Sequence, residues 1–166
     1  MKKNSTAIFM SRAAVIAALY VVLTYVSALL GLSSGPIQCR LSEVLCILPV
    51  FTPAAVPGLF VGCLLSNLLT GCIVWDVVFG SIATLIGAAG TYVLSKKGAN
   101  KFLLVLPPVL SNTVIVPLVL KFAYALDGGL WYFVATVFVG EVISCAVLGL
   151  AVYHYFEKHH KTMFLM

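Results

Sequence analysis

Gln38, Arg40, Ser42 and Glu43 stand together in the stretch GPIQCRLSEVLCILP, residues 35–49, directly before an apolar run. An amide, a guanidinium, a hydroxyl and a carboxylate supply both donors and acceptors over a very short length of chain. Arg40 and Glu43 are three residues apart, so on a helix they share a face and can pair. Gln38 and Ser42 add hydrogen-bonding capacity beyond what one ion pair needs. Two readings follow: the pair braces the loop, or Glu43 is available to hold a ligand. Farther along, Asn67, Trp75, Asp76, Asn112, Lys121 and Glu141 interrupt apolar sequence. A charge at the centre of a membrane helix costs roughly 2.5–3.5 kcal/mol, and such residues normally face a bundle interior or an aqueous cavity. Carboxylates, amides and an aromatic ring so placed suit the capture of a small polar molecule. Bond-making chemistry is disfavoured, because the sequence shows no nucleophile–base set and no HExxH pattern. There is no GxxxxGK[ST] phosphate loop either, so an ATP-driven step requires a partner.

The elements that position these residues are membrane helices. The chain has 166 residues, of which 62% are hydrophobic and 9% charged, with a mean hydropathy of +1.13. Soluble domains carry about 25% charged residues, so this chain cannot cover a water-facing surface. Spans of roughly 20 apolar residues predict an all-α bundle of six transmembrane helices in one domain, 1–166. The predicted helices cover 8–31, 39–54, 56–72, 76–95, 103–125 and 130–154. The N-terminal apolar run is read as the first helix, retained in the mature protein, because no small-residue cleavage site follows it. Pro53 and Pro57 force a tight turn between the second and third helices, Pro107 and Pro108 suit a helix start, and Pro117 suggests a kink.

Positive charge orients the bundle. With six spans, Lys2, Lys3, Arg12, Lys96, Lys97, Lys101, Lys158 and Lys161 share the side of both termini, eight of the ten basic residues. That side is expected to be cytoplasmic. The net charge of +5 is then a topology signal and not a nucleic-acid footprint. On this topology Gln38, Arg40, Glu43, Asn67, Trp75, Asp76 and Lys121 lie towards the outside, Glu141 falls near mid-membrane, and Asn112 sits nearer the cytoplasmic half. The asymmetry points to one cavity open to the outside. Asp76 also suits an N-cap beside an interfacial Trp75, and Lys121 suits a snorkelling role.

Small residues at helical spacing predict close helix packing. Gly58, Gly62 and Ser66 form one stripe, Gly80, Thr84 and Ala88 a second, and Gly140 with Ser144 a third. The first helix carries two offset pairs, Ala13 with Ala17 and Ala14 with Ala18, which suit either internal packing or a protein partner. The five cysteines show no CxxC spacing and read as small hydrophobes. No metal and no cofactor are expected.

The stretch GPIQCRLSEVLCILPVFTPAAVPGLFVGCLLSNLL, residues 35–69, resembles the signature of the QueT family. WDVVFGSIATLIGA (75–88), LPPVLSNTVIVPL (106–118) and VGEVISCAVLG (139–149) resemble its later blocks in the same order. The resemblance implies a queuosine-precursor-binding S-component of an energy-coupling factor transporter in a bacterial plasma membrane. Such a subunit lacks ATPase activity and works with a transmembrane coupling subunit and two cytoplasmic ATPases. The AxxxA pairs Ala13–Ala17 and Ala14–Ala18 would meet the coupling subunit. The implied ligand is a 7-deazaguanine such as queuine or a precursor. Its guanine-like edge would be read by Glu43 or Glu141, its ring stacked by an aromatic such as Trp75, and its carbonyl met by Gln38, Asn67 or Asn112. Asp76 would hold a side-chain amine or close the gate. The alternatives are an S-component for another small vitamin or nucleobase, and a solitary proton-coupled carrier using Glu141.

Overall fold

A computed structural model describes the backbone of residues 2–32 and 39–164, and the side chains of residues 5–32 and 39–159. Gln38 lies outside the described residues. Among these residues all regular structure is helical. The helices are α1 (Lys2–Leu29), α2 (Leu41–Val50), α3 (Ala55–Leu69), α4 (Val74–Lys96), α5 (Lys101–Ala123) and α6 (Leu130–His159, its winding continuing to Phe164).

Four of them, α1, α4, α5 and α6, are long and apolar enough to cross a membrane. They leave large hydrophobic side chains exposed along their lengths, among them Val15, Ile86, Val114 and Val147. Only a lipid environment accommodates such a surface, and the protein is a membrane protein. The remaining two are shorter than the sequence suggests. Helix α2 is a ten-residue 3₁₀ helix, which at a rise of ≈ 2.0 Å per residue spans only about 20 Å. Helix α3 has fifteen residues, about 22 Å at 1.5 Å per residue.

Helix α2 is the axis of the bundle. Ser42, Glu43, Leu45, Cys46, Ile47, Leu48 and Pro49 are all buried along it. A 3₁₀ winding places side chains at i and i+3 in line, so Glu43, Cys46 and Pro49 share one edge. The main core cluster draws on every helix, with Ile16 and Tyr20 from α1, Leu45 from α2, Leu59 from α3, Ala88 from α4, Val109 from α5 and Cys145 from α6.

Two glycine contacts set the helix spacing. A Cβ added at Gly62 would meet the Tyr20 Cβ at 2.7 Å and the Ala17 carbonyl oxygen at 3.0 Å; one at Gly58 would meet the Ala13 oxygen at 2.7 Å. The α3 stripe therefore seats the backbone of α1 directly, as small-residue packing in membranes requires. Between α4 and α5 the corresponding contact is made by Gly87 and Gly90. Added Cβ atoms there would meet Pro108 Cα at 2.7 Å and Pro107 Cβ at 2.6 Å. Pro107 and Pro108 lie in the first turn of the Leu106–Leu118 segment, where a missing N–H is tolerated. Beyond Pro117 the winding of α5 widens to a π-helix over Val119–Ala123. A second π segment, Val142–Leu148, follows Glu141 in α6.

Candidate functional site

The polar residues converge at the end of the bundle remote from both termini, where the C-terminal ends of α1, α3 and α5 meet the N-terminal ends of α2, α4 and α6. Arg40 precedes α2 in extended backbone, φ −101° and ψ 112°. It is therefore not on the helix that carries Glu43, and the i, i+3 geometry that would pair them is lost. Its guanidinium turns instead to Asp76, Nη2 to Oδ2 at 3.9 Å, and donates from Nη1 to Asn67 Oδ1 at 3.4 Å.

Glu43 is 2% exposed and is held by three neutral donors. The Tyr20 hydroxyl donates to Oε1, while Cys46 Sγ at 2.9 Å and Asn112 Nδ2 at 3.4 Å donate to Oε2. The carboxylate is thus oriented by α1, its own helix and α5 together. Glu141, on α6, accepts from the Cys145 thiol at 3.2 Å through Oε2. The π segment that follows turns Ser144 and Cys145 into the interior, at 1% and 2% exposed; π turns often mark functional positions. Asp76, buried near the start of α4, accepts from the Tyr124 hydroxyl at 3.1 Å. Asn67 Nδ2 donates to the Asp76 main-chain oxygen at 3.3 Å, tying α3 to α4.

Two cavities lie among these groups. The inner one, about 20 Å³, is lined by Arg40, Glu43, Asn112, Glu141 and Thr84 and closed by Gly80, Val116 and Val137. It has room for about one water molecule. The larger, about 350 Å³, lies towards the loops and is lined by Arg40, Asn67, Asp76, Tyr124, Thr24 and Thr70 among others. That volume is within the range of small-molecule sites. Arg40 is common to both linings.

Of the residues singled out by sequence, Arg40, Glu43, Asn112 and Glu141 meet around the inner cavity, and Asn67 and Asp76 meet Arg40 around the outer one. Trp75 does not join them. Its indole is 60% exposed, stacked on Phe79 at 5.9 Å, and borders an apolar groove between α4 and α5. Asp76 and Trp75 are adjacent, about 100° apart on a helix, and the inward arc at this turn is taken by Asp76 and Val77. Ser42 is fully buried, lines neither cavity, and its hydroxyl has no partner among the described residues. Lys121 donates to the Gly128 carbonyl at 3.0 Å. On α1, Ala17 is buried and Ala13 half-buried against α3, whereas Ala14 and Ala18 are exposed.

Tyr20, Cys46, Thr84, Tyr124 and Cys145 belong to the site and carry no sequence signal for it. Cys46 and Cys145 sit in apolar runs, yet their thiols are the donors that dress the two carboxylates. Glu43, Cys46 and Cys145 also bring one ligand-type atom each to within 4.8 Å of one another. Two thiols and a carboxylate would suit a soft divalent ion only as thiolates; in this arrangement both sulfurs act as hydrogen-bond donors.

Chemically, the site offers anionic acceptors, an amide and a guanidinium around two adjoining cavities. It can recognise a small polar molecule that presents hydrogen-bond donors. The family model for QueT transporters matches residues 10–158. A protein from Lactococcus lactis subsp. cremoris (strain MG1363), named Queuosine precursor transporter QueT, is 39% identical over 87 residues. That match covers 52% of this chain and 50% of the relative, so the alignment spans about half the length of the curated protein. No solved structure matches the chain.

Proposed function

The chain belongs to the QueT transporter family, and from that premise we propose that it is the substrate-binding S-component of an energy-coupling factor transporter for a queuosine precursor or queuine-like 7-deazaguanine. The observation that carries the reading is the meeting of Glu43, Asn112 and Glu141 around one interior cavity, with Arg40 between it and an outer vestibule. A 7-deazaguanine presents N1–H and an exocyclic amine on one edge, which a carboxylate accepts in a bidentate way. Glu43 or Glu141 reads that edge, and Asn112 or Gln38 meets the carbonyl. Asn67 and Asp76 stand at the mouth, where Asp76 holds a side-chain amine or closes the entrance.

The bundle is oriented with its termini in the cytoplasm of a bacterium and the vestibule facing outward across the plasma membrane. The subunit has no ATPase activity of its own. It couples to a transmembrane partner and two cytoplasmic ATPases, and the exposed pair Ala14–Ala18 on α1 is the part of the expected partner surface left over once Ala13 and Ala17 pack on α3. The test is ligand affinity in Glu43→Gln and Glu141→Gln, measured separately by calorimetry. A loss of at least about tenfold, 1.4 kcal/mol, is expected in one or both; unchanged affinity in both defeats the reading. Mass spectrometry of the small molecule that copurifies with the chain identifies the ligand directly.

A further inference from the structure

We propose that Glu43 and Cys46 of α2, with Glu141 and Cys145 of α6, form a binding site for a soft divalent cation of the Zn²⁺ class, and that its occupation excludes the organic ligand. The cation site stands on the geometry of these four side chains. The exclusion rests on the deazaguanine reading above, which gives the same carboxylates to the ligand.

The four residues come as two carboxylate–thiol pairs on facing helices, the arrangement from which metal sites in helix bundles are built. Glu43 and Cys46 are three apart, and the 3₁₀ winding of Leu41–Val50 brings positions i and i+3 into line. Glu141 and Cys145 are four apart, where the π segment Val142–Leu148 begins. Within the pairs, Cys46 Sγ lies 2.9 Å from Glu43 Oε2, and Cys145 Sγ lies 3.2 Å from Glu141 Oε2. Between the helices, Cys145 Sγ reaches the Glu43 main-chain oxygen at 3.4 Å. One ligand-type atom from each of Glu43, Cys46 and Cys145 falls within 4.8 Å of the other two. Bonds of about 2.3 Å to sulfur and about 2.1 Å to oxygen place the ligands of a tetrahedral zinc about 3.4–3.8 Å apart. The observed separations straddle that spacing, so small side-chain adjustments close the shell, with Glu141 as the fourth ligand.

The surroundings suit a cation as well. All four side chains are buried. Two sulfurs select a soft ion over Mg²⁺ or Ca²⁺, which take oxygen ligands. The Tyr20 hydroxyl and the Asn112 amide already donate to Glu43, and outer hydrogen bonds of that kind orient ligating carboxylates. The inner cavity, with room for about one water, brings a species of that size to both carboxylates. The thiols that donate to Glu43 and Glu141 are the protonated form of this site. As each sulfur–metal bond forms, the S–H proton leaves to solvent, so two protons are released per cation and no electron is transferred. A cation held there occupies the carboxylate oxygens that a guanine-like edge needs.

The experiment titrates Cd²⁺ into the reduced, detergent-purified chain and follows the cadmium–thiolate charge-transfer absorption. A saturable band that Zn²⁺ displaces is expected. Cys46→Ser and Cys145→Ser are each expected to weaken Cd²⁺ binding at least about tenfold, 1.4 kcal/mol, whereas the double variant Cys39→Ser/Cys72→Ser keeps it. No band, or a band lost in the Cys39/Cys72 variant and kept in the other two, overturns the site. X-ray absorption on the Zn²⁺-loaded wild type decides the matter even where the cysteine variants do not fold. Two sulfur ligands at about 2.3 Å are expected, and any other sulfur count overturns the site while leaving the deazaguanine reading standing. Calorimetry with 7-deazaguanine tests the exclusion: affinity is expected to fall at least about tenfold in saturating Zn²⁺. Unchanged affinity overturns the exclusion. A chain that shows the two-sulfur spectrum but binds no 7-deazaguanine without metal removes the functional reading and leaves the cation site in place.

Discussion

Tyr20→Phe tests whether α1 is part of the binding site or only a wall beside it. The Tyr20 side chain is 1% exposed, and its hydroxyl donates to Glu43 Oε1. Phenylalanine keeps the ring, so the close contact with Gly62 survives and the only atom lost is the hydroxyl oxygen. Glu43 is 2% exposed, so water cannot readily replace the lost donor. Leaving a buried acceptor unsatisfied costs about 1–3 kcal/mol. At a mid-range 2 kcal/mol, a chain of this size melts about 4–8 °C lower. The carboxylate also loses its anchor to α1 and retains only Cys46 and Asn112, so ligand affinity is expected to fall by about tenfold, 1.4 kcal/mol. Thermal unfolding in detergent and calorimetric titration with a 7-deazaguanine measure the two effects. Tyr25→Phe is the control. Its hydroxyl bonds the Leu69 carbonyl at 3.0 Å in an exposed position, where a change stays within about 0.5 kcal/mol. A Tyr20→Phe protein that melts and binds like the wild type would refute the claim that Tyr20 orients Glu43.

Three further outcomes are expected. Gly62→Ala drives a Cβ into Tyr20 and the Ala17 carbonyl, costing about 1–3 kcal/mol by overpacking; thermal unfolding and ligand titration would show lower stability and weaker binding together. Ala14→Trp and Ala18→Trp, at exposed positions, fold and bind ligand in detergent but abolish uptake in cells, whereas Ala17→Trp at its buried position fails to accumulate as folded protein on size exclusion. Trp75→Ala leaves ligand affinity within about twofold, the ±0.5 kcal/mol of a surface change, because the indole lies outside both cavities; a large loss by calorimetry would place the ring against the ligand instead.

Much of the architecture was legible because hydropathy and proline placement are local. The long helices α1, α4 and α5 start and stop within six residues of where the apolar runs put them, whereas α6 winds on to Phe164, ten residues past the expected end at 154. The exception is α2. Its sequence reads as an ordinary apolar helix over 39–54, but the chain winds as 3₁₀ over Leu41–Val50 in the middle of the bundle. Nothing in its residue types announces a longer rise per residue. The two π segments, after Pro117 and after Glu141, are likewise invisible in sequence, although the proline marks the place of the first.

By itself the sequence determined the solvent this protein lives in and the number of its helices. Those follow from composition and segment length, neither of which depends on how one helix is rotated against another. Tertiary structure decided the partners. Arg40 and Glu43, three residues apart, do not brace each other, because Arg40 lies before the helix starts and Asp76 of α4 is within its reach. Glu43 takes Tyr20, Cys46 and Asn112 instead, from three different helices. Ala13 and Ala17 face α3 while Ala14 and Ala18 face outward, because the glycine stripe of α3 admits the α1 backbone on one line of contact only. A helix rotation of about 100° exchanges one residue for its neighbour, and the small-residue contacts that set each rotation are properties of pairs of helices.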